Sequence, residues 1–132
     1  MAKLPARSED QKQKVADLRR GDIYLCSFDP TVGREIKKTR PALVIQNDIG
    51  NRFSPLTIVA AVSSAISPVS YPVQVVIDPT AGNGLDIRSS IRLDQIRTVD
   101  RQRVLRRLGA VDSSIMAKVD EALMISLGLV PL

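Results

Sequence analysis

An arginine and a pair of hydroxyl groups flank two apolar segments in the first half of the sequence. Arg40 precedes the first segment, residues 42–46, while Ser63 and Ser64 follow the second, residues 56–62. Two adjacent antiparallel strands of similar length bring the start of one strand close to the end of the other. A guanidinium and a hydroxyl held together suit a phosphate, because both donate hydrogen bonds to its oxygens. We therefore expect a phosphate site at one end of a sheet.

The residue that follows the arginine restrains its backbone. Pro41 has a fixed φ and biases Arg40 towards an extended conformation, which directs the guanidinium group. An ordinary surface arginine at the start of a strand has the same local sequence, and two serines can simply end a strand. The residue types alone leave both interpretations open.

The composition indicates a single domain with an aliphatic core. The chain has 132 residues, of which 44% are hydrophobic and only 3% are aromatic. Lysine and arginine number 19 against 14 acidic residues, so the formal net charge is +5. This modest excess favours an anionic partner such as a nucleic acid.

Two absences exclude several kinds of chemistry. The sequence has no histidine, which excludes a histidine base, a histidine-containing triad and a histidine metal ligand. The single cysteine, Cys26, allows neither an intrachain disulfide nor a cysteine-rich zinc site, and its place in a predicted strand indicates a buried structural thiol. There is no apolar run of about 18 residues and no secretory signal, so we expect a cytoplasmic protein without membrane contact.

Short apolar segments separated by turn residues predict a mainly β fold. The predicted strands cover residues 23–28, 42–46, 56–62, 73–77 and 90–99. The alternation along the last of these is imperfect, which indicates two different environments along one strand.

The end of the chain predicts a helix. Asp112 or Ser113 caps it, Gly128 ends it, and apolar residues at spacings of three and four form one face. That face consists of Ile115, Val119, Ala122 and Leu123. For residues 101–108, propensity alone would also predict a helix.

Four motifs in order give the sequence a close resemblance to the MazF/PemK family of toxin endoribonucleases. They are RGDIY at 20–24, the segment 39–64, LDQIRT at 93–98 and KVDEALMISLGL at 118–129. The resemblance covers residues 19–129. It divides the chain into a polar N-terminal tail, residues 1–18, and a family domain, residues 19–132; the tail could be helical from Ser8 to Leu18.

The resemblance also implies a fold and an assembly. The family fold is a small, curved antiparallel barrel, related to SH3-like barrels, with a C-terminal α-helix. It implies a turn at residues 100–104 and a short last strand near 106–111, in place of the helix that propensity favours there. The family acts as a homodimer.

The function implied by the resemblance is that of the toxin in a type II toxin–antitoxin system. Such a toxin cuts single-stranded RNA, chiefly mRNA, at specific sequences without a metal or cofactor, and a MazE-like antitoxin with an acidic tail neutralises it. The 2′-hydroxyl of RNA attacks the phosphorus and leaves 2′,3′-cyclic phosphate and 5′-hydroxyl ends.

The resemblance assigns the catalytic roles to Arg40 and Ser63. Ser63 stands where the family usually has threonine, so the hydroxyl is kept while the β-branch that stiffens χ1 is lost. Ser64 is adjacent and could take the role if the alignment is shifted by one residue. Arg20, Asp22 and Ser64 are assigned supporting positions, with Asp22 expected to support Arg40 or the basic loop.

Amides and basic side chains elsewhere are expected to contact RNA, since amides can bind base edges and arginines can bind phosphates. The predicted contacts are Lys37, Lys38, Asn47, Asp48, Asn51, Arg52, Gln95 and Arg97. The same residue types also occur in polar turns and on solvated strand faces, which is the alternative interpretation for each of them.

Two other functions are compatible with this fold. A CcdB-type toxin binds gyrase and cuts nothing, but it has a tryptophan-containing C-terminus, whereas this chain has no tryptophan. A catalytically inactive RNA-binding relative would lack the arginine and the hydroxyl that Arg40 and Ser63 supply. Both alternatives predict no RNA cleavage.

We expect RNA cleavage by the purified protein to persist in EDTA. Without histidine and with one cysteine, carboxylates are the remaining strong ligands, and Asp22, Asp48 and Asp94 lack the spacing of a metal site. Gel analysis of a long RNA incubated with and without EDTA measures this. Loss of cleavage that Mg²⁺ or Mn²⁺ restores would contradict the expectation.

Overall fold

The computed structural model describes residues 17–35, 38–68 and 71–131. Within them, a six-stranded sheet is joined by two α-helices and a 3₁₀ turn at Arg101–Arg103. The strands are Asp22–Ser27 (β1), Thr39–Val44 (β2), Leu56–Ser63 (β3), Gln74–Ile77 (β4), Ser89–Asp100 (β5) and Val104–Ala110 (β6). The helices are Asp48–Phe53 (α1) and Ser113–Ser126 (α2).

All five strand pairings are antiparallel, and the spatial order is β4-β5-β3-β2-β1-β6. This confirms the expectation of a curved, mainly β fold with a C-terminal helix. The last strand begins at Val104, so the family pattern predicted this region correctly and propensity did not. Pairing with β1 decides the outcome, because it satisfies the backbone of this segment in the sheet.

Both faces of the sheet are buried. Along β2, Leu43 belongs to the hydrophobic cluster that packs against α2, whereas Ala42 and Val44 belong to a second cluster on the other face. The second cluster also contains Cys26, which is free and fully buried, as expected. Burial raises the pKa of this thiol to about 12, which keeps it neutral and unreactive.

The C-terminal helix has the predicted cap and the predicted face. The carboxylate of Asp112 accepts a hydrogen bond of 2.9 Å from the backbone N–H of Ile115. Val119 and Ala122 are the buried residues of the helix, and Ile115 and Leu123 pack partly buried against the same cluster. The helix ends at Ser126, two residues before Gly128, whose φ is +72°.

Strand β5 changes register within its length. Ala60 of β3 lies opposite Ile96, but its neighbour Ala61 lies opposite Arg92. Three residues of β5, 93–95, are therefore inserted between these pairs as a large β-bulge. The bulge confirms the two environments indicated by the imperfect alternation.

Two details differ from the sequence-based expectation. Residues 48–53, expected to form a polar loop, form helix α1 because Asn47 caps them by accepting a hydrogen bond from the backbone N–H of Gly50.

Leu18, assigned to the tail, is only 4% exposed and belongs to the second hydrophobic cluster. The rest of the expected tail helix, residues 8–16, lies outside the described residues.

Within the described parts of the chain, none of the helices has the length and apolar character needed to cross a membrane.

Strand β6 passes very close to the turn that follows β4. A Cβ atom at Gly109 would lie 2.2 Å from the carbonyl oxygen of Gly82 and 2.6 Å from the carbonyl carbon of Asn83. Ala110 also donates a backbone hydrogen bond of 2.9 Å to Gly82. A side chain at position 109 would therefore push the two backbones apart.

Replacing Gly109 with alanine is expected to lower the free energy of unfolding by about 1–3 kcal/mol, the usual cost of overpacking. Gly82→Ala is the matched control, since the nearest atom to its Cβ would be Thr80 Oγ1 at 3.9 Å. Urea unfolding of the two variants measures the difference. Equal stabilities would show that the close approach does not constrain the fold.

Candidate active site

Arg40 and Ser63 lie on one face of the sheet, near the end of the pairing between β2 and β3. Ala42 of β2 lies opposite Ala61 of β3 in the last pair of this ladder, and Arg40 and Ser63 each lie two residues beyond it, one on each strand. Residues two apart on a strand project from the same face, and Ala42 and Ala61 belong to the second hydrophobic cluster, so both side chains lie on the face of that cluster. Arg40 is half-buried and also lies opposite Cys26 of β1. The structure thus brings the two predicted catalytic residues to the same edge of one sheet face.

The hydroxyl of Ser63 is oriented by the turn that ends β3. Its Oγ accepts a hydrogen bond of 3.1 Å from the backbone N–H of Ala65. Among the described residues, none accepts a hydrogen bond from this hydroxyl, so its O–H remains able to donate. Ser64 is exposed and follows the end of the strand. Ser63 therefore has the better position for a role beside Arg40.

Ser90 is a supporting residue that the sequence analysis did not identify. It is fully buried, lies opposite Ser63 on β5, and donates a hydrogen bond of 2.8 Å to the carbonyl of Ala65. It therefore anchors the turn that orients the Ser63 hydroxyl. Its place opposite Ser63 depends on strand pairing and has no local signal in the sequence.

A cleft of about 160 Å³ lies beside Ala61, two residues before Ser63. The segment that follows β1 contributes Phe28 and Glu35 to its walls, and the β5 bulge region contributes Gln95 and Arg97; Ile96 completes the lining. Two of the predicted RNA contacts are thus brought together next to the predicted catalytic pair, while Phe28 and Glu35 were not predicted.

Hydrogen bonds hold the walls of the cleft in place. Arg97 Nη1 donates a bond of 2.6 Å to the carbonyl of Phe28, which connects β5 to the end of β1. Lys38 has a φ of 67° and donates its backbone N–H to Asp29 at 2.9 Å. Its side chain is exposed. Lys37, predicted to contact RNA with it, lies outside the described residues.

The predicted contacts at positions 47–52 lie at the other end of β2. Helix α1 follows the C-terminal end of the strand, whereas Arg40 is at its N-terminal end. A strand of six residues spans about 20 Å. Asn47, Asp48 and Arg52 are exposed there, so they form a surface separate from the cleft.

Asn51 departs most clearly from its predicted role. It is fully buried, and its amide nitrogen donates to the carbonyl of Gln46 and to Asp48 Oδ1. Its amide oxygen accepts hydrogen bonds from Thr57 Oγ1 and Gln46 Nε2. With both groups of the amide occupied inside the protein, Asn51 stabilises α1 against β3 and is not available to contact RNA in this structure.

Arg20 connects three elements at the same end of the sheet. Its Nε donates a hydrogen bond of 2.9 Å to the carbonyl of Ile45, and its guanidinium pairs with Asp120 of α2. Its backbone N–H donates to Asp48, and this bond lowers the pKa of the Asp48 carboxyl. Arg20 thus supports the scaffold around α1.

Asp22 was expected to support Arg40 or the basic loop, and the structure places it elsewhere. Its carboxylate accepts a bond of 3.3 Å from Arg107 of β6 and one of 3.2 Å from the backbone N–H of Arg19. It begins β1, four residues before Cys26, which lies opposite Arg40. Four residues of strand span about 13 Å, so Asp22 holds β6 and not Arg40.

The arrangement suits a phosphate group. Arg40 and Ser63 supply hydrogen-bond donors, and the sequence contains no histidine to act as a base. In the described part of the chain, no three cysteine or acidic residues lie close enough together to hold a metal ion. Through these donors the site can bind phosphate oxygens.

Comparison with known families gives one match that spans most of the chain. Residues 19–127 match the family described as the PemK-like, MazF-like toxin of type II toxin–antitoxin systems. These bounds agree with the range of the resemblance found by motif, 19–129.

Two relatives and one solved structure each match more than four-fifths of this chain. The sequence is 49% identical to endoribonuclease EndoA of Bacillus subtilis over 113 residues, which cover 86% of this chain and 97% of EndoA. It is 45% identical to endoribonuclease MazF of Staphylococcus epidermidis over 112 residues, 85% of this chain and 92% of that protein. A mycobacterial endoribonuclease solved with its cognate antitoxin superposes with a TM-score of 0.71 at 23% identity, covering 87% of this chain and 99% of that one.

Proposed function

This chain belongs to the PemK-like, MazF-like family of type II toxin–antitoxin toxins, and we propose that it is an endoribonuclease that cuts single-stranded RNA, chiefly mRNA, at specific sequences. The observation that carries the proposal is that Arg40 and Ser63 share one sheet face, each two residues beyond the pair of Ala42 with Ala61, and that Ala61 lines the cleft. Both relatives at 45–49% identity are endoribonucleases.

In the proposed reaction, the 2′-oxygen of one nucleotide attacks the neighbouring phosphorus. The new bond joins the 2′-oxygen to phosphorus, and the bond from phosphorus to the 5′-oxygen breaks. The 2′-hydroxyl loses a proton, and the 5′-oxygen of the leaving strand gains one. The products are a 2′,3′-cyclic phosphate and a 5′-hydroxyl end.

Arg40 acts in this reaction by electrostatic stabilisation. Its guanidinium donates parallel hydrogen bonds to two non-bridging oxygens and neutralises the charge that develops on them. Ser63 donates a further hydrogen bond to the same phosphate. An arginine keeps its proton near neutral pH, so Arg40 acts as a donor and not as the base.

The same chemistry makes a metal ion unnecessary. A metal would neutralise the phosphate and align the attack, and the Arg40 and Ser63 donors supply both effects from fixed positions on a sheet. The nucleophile belongs to the RNA, so no bound water has to be activated. These points support metal-independent cleavage.

The proposed assembly is a homodimer whose basic surface binds the acidic tail of a MazE-like antitoxin. The net charge of +5 per subunit favours an acidic partner. Ile49 and Phe53, both about three-quarters exposed on α1, give each subunit apolar surface that a second chain can cover. The mycobacterial structural relative was solved with its own antitoxin.

Replacing Arg40 with alanine is expected to reduce RNA cleavage by about a hundredfold or more, the usual cost of removing a charged transition-state stabiliser. Arg40→Lys is expected to recover little, because an ammonium group lacks the paired donors of a guanidinium. Initial rates on a labelled single-stranded RNA measure both effects.

Arg106→Ala is the matched control for Arg40, because Arg106 is exposed on β6 and lies opposite Leu25. It is expected to cut RNA at the rate of the unchanged protein. Circular dichroism and size-exclusion chromatography establish that each variant keeps the fold and the assembly. Activity of Arg40→Ala within a few-fold of the unchanged protein would remove Arg40 from the mechanism.

A serine series separates the two hydroxyl candidates. Ser63→Ala is expected to lose most of the activity, while Ser63→Thr keeps it because the donor hydroxyl is retained. Ser64→Ala is the control and is expected to remain active, since Ser64 is exposed beyond the end of β3. A larger loss in Ser64→Ala than in Ser63→Ala would transfer the role to Ser64.

Light scattering at micromolar concentration is expected to give the mass of a dimer. Affinity for an acidic antitoxin tail is expected to fall as salt increases, because exposed charges are screened beyond about 10 Å at 0.1 M salt. Titration calorimetry at several salt concentrations measures the second effect. A monomer, or an affinity independent of salt, would contradict the respective part of the proposal.

A further inference from the structure

Tyr71, Arg92 and Asp94 form a hydrogen-bonded cluster between β5 and the segment that precedes β4. The phenol of Tyr71 donates a hydrogen bond of 2.5 Å to Asp94 Oδ2. Arg92 donates two bonds to the same carboxylate, from Nε at 3.0 Å and from Nη2 at 2.8 Å. The Arg92 guanidinium carbon also lies 5.3 Å from the centroid of the Tyr71 ring. The ring is therefore held at its hydroxyl and by a cation on its face.

The cluster lies on the same sheet face as the predicted catalytic residues. Arg92 is opposite Ala61, and Ser90, two residues earlier on β5, is opposite Ser63. Opposed residues share a face, and diagonal neighbours across two strands are about 7–8 Å apart. Arg92 is thus one diagonal step from Ser63. Asp94 lies in the bulge next to Gln95, which lines the cleft.

Tyr71 has a position that no other aromatic ring of the chain has. The sequence contains two tyrosines, two phenylalanines and no tryptophan. Tyr24 is buried, Phe28 lines the cleft but is only 3% exposed, and Phe53 is exposed on α1 at the other end of β2. Tyr71 is the remaining ring, half-buried and on the Arg40 face.

The charges in the cluster favour one stable arrangement. Partial burial raises the pKa of Asp94, but hydrogen bonds from Arg92 and Tyr71 together outweigh it and lower the pKa below its usual value. The hydrogen bond to Asp94 raises the pKa of the Tyr71 phenol. At neutral pH the carboxylate is ionised and the phenol is protonated, so all three hydrogen bonds are retained.

We propose that Tyr71 is a stacking subsite for an unpaired nucleobase next to the scissile phosphate, and that the Arg92–Asp94 pair positions its ring. Single-stranded RNA is bound largely through bases that stack on aromatic side chains, and a ring fixed in advance loses little entropy on binding. The inference rests on the proposed RNA-cleaving function and adds a subsite to it.

A phosphate is a poorer candidate for this position than a base. The side chain of Arg92 is only 17% exposed, and two of its nitrogens already bind Asp94. The carboxylate neutralises the guanidinium and would repel a phosphate. The available feature of the cluster is a neutral, oriented ring, and its natural ligand is the flat face of a base.

A binding experiment that needs no cleavage tests the subsite. The probe is a short oligouridine in which every 2′-hydroxyl is replaced by fluorine and one central base is 2-aminopurine, whose fluorescence falls on stacking. The unchanged protein is expected to quench the probe. Tyr71→Ala and Tyr71→Leu are expected to bind about tenfold more weakly without quenching, in line with the usual contribution of one stacked base.

Three further variants separate the ring from its support. Tyr71→Phe retains the ring but loses the hydrogen bond to Asp94, and Asp94→Asn removes the charged acceptor, so both are expected to quench less than the unchanged protein and more than Tyr71→Ala. Ile87→Ala is the control, an exposed apolar side chain in the segment before β5, and is expected to behave as the unchanged protein. Quenching by Tyr71→Ala and Tyr71→Leu equal to that of the unchanged protein would overturn the proposal.

A cleavage experiment distinguishes failure of the subsite from failure of the proposed function. If the protein cuts RNA, Tyr71→Ala is expected to raise KM about tenfold with kcat little changed. On a substrate that lacks the stacked base, the two proteins are expected to have equal KM. An unchanged KM for Tyr71→Ala on the intact substrate would overturn the subsite. Absence of cleavage by the unchanged protein would overturn the proposed function, and the quenching result would still decide the subsite.

Discussion

The pairing register of β2 with β3 is the constraint on which the candidate site depends. Ala42 opposite Ala61 and Leu43 opposite Ala60 are buried on opposite faces of the sheet. A slip of one residue would exchange the two faces and move apolar side chains out of both clusters. The packing that fixes this register therefore also fixes the sheet face on which Arg40 and Ser63 lie.

The two ends of β2 have different roles in this structure. At the C-terminal end, buried Asn51 and the contacts of Arg20 connect α1, β2, β3 and α2 into a fully hydrogen-bonded scaffold. At the N-terminal end, the sheet face opens into a cleft beside Ala61. A hydrogen-bonded end and an open end on one strand suit the proposed binding of single-stranded RNA, because Arg40 and Ser63 would then need little ordering when it binds.

The bulge in β5 makes the open end possible. A regular strand would continue the ladder with β3 and keep residues 93–95 within the sheet. The insertion instead brings Gln95 to the cleft wall and places Asp94 where it accepts hydrogen bonds from both Arg92 and Tyr71. The β5 bulge thus places the side chains of Asp94 and Gln95 in positions that a regularly paired strand would not give them.

The sequence by itself determined the elements and their order. Alternating apolar segments and turn residues placed the first five strands to within a few residues, and the capping residue and apolar spacing placed α2. Its motifs also determined the family, and with it the last strand and the choice of Arg40 and Ser63. These features are local, because each depends on residue types within a few positions of one another.

The tertiary structure decided which of the selected side chains are available and which of them meet. Asn51 and Arg52 are one residue apart in the sequence, yet the first is buried and hydrogen-bonded while the second is exposed. Asp22 is held by Arg107 of β6, 85 residues away along the chain, and lies far from Arg40. Burial, strand register and bulges depend on the partner that a segment packs against, and that partner is set by the packing of the whole domain, which local sequence does not encode.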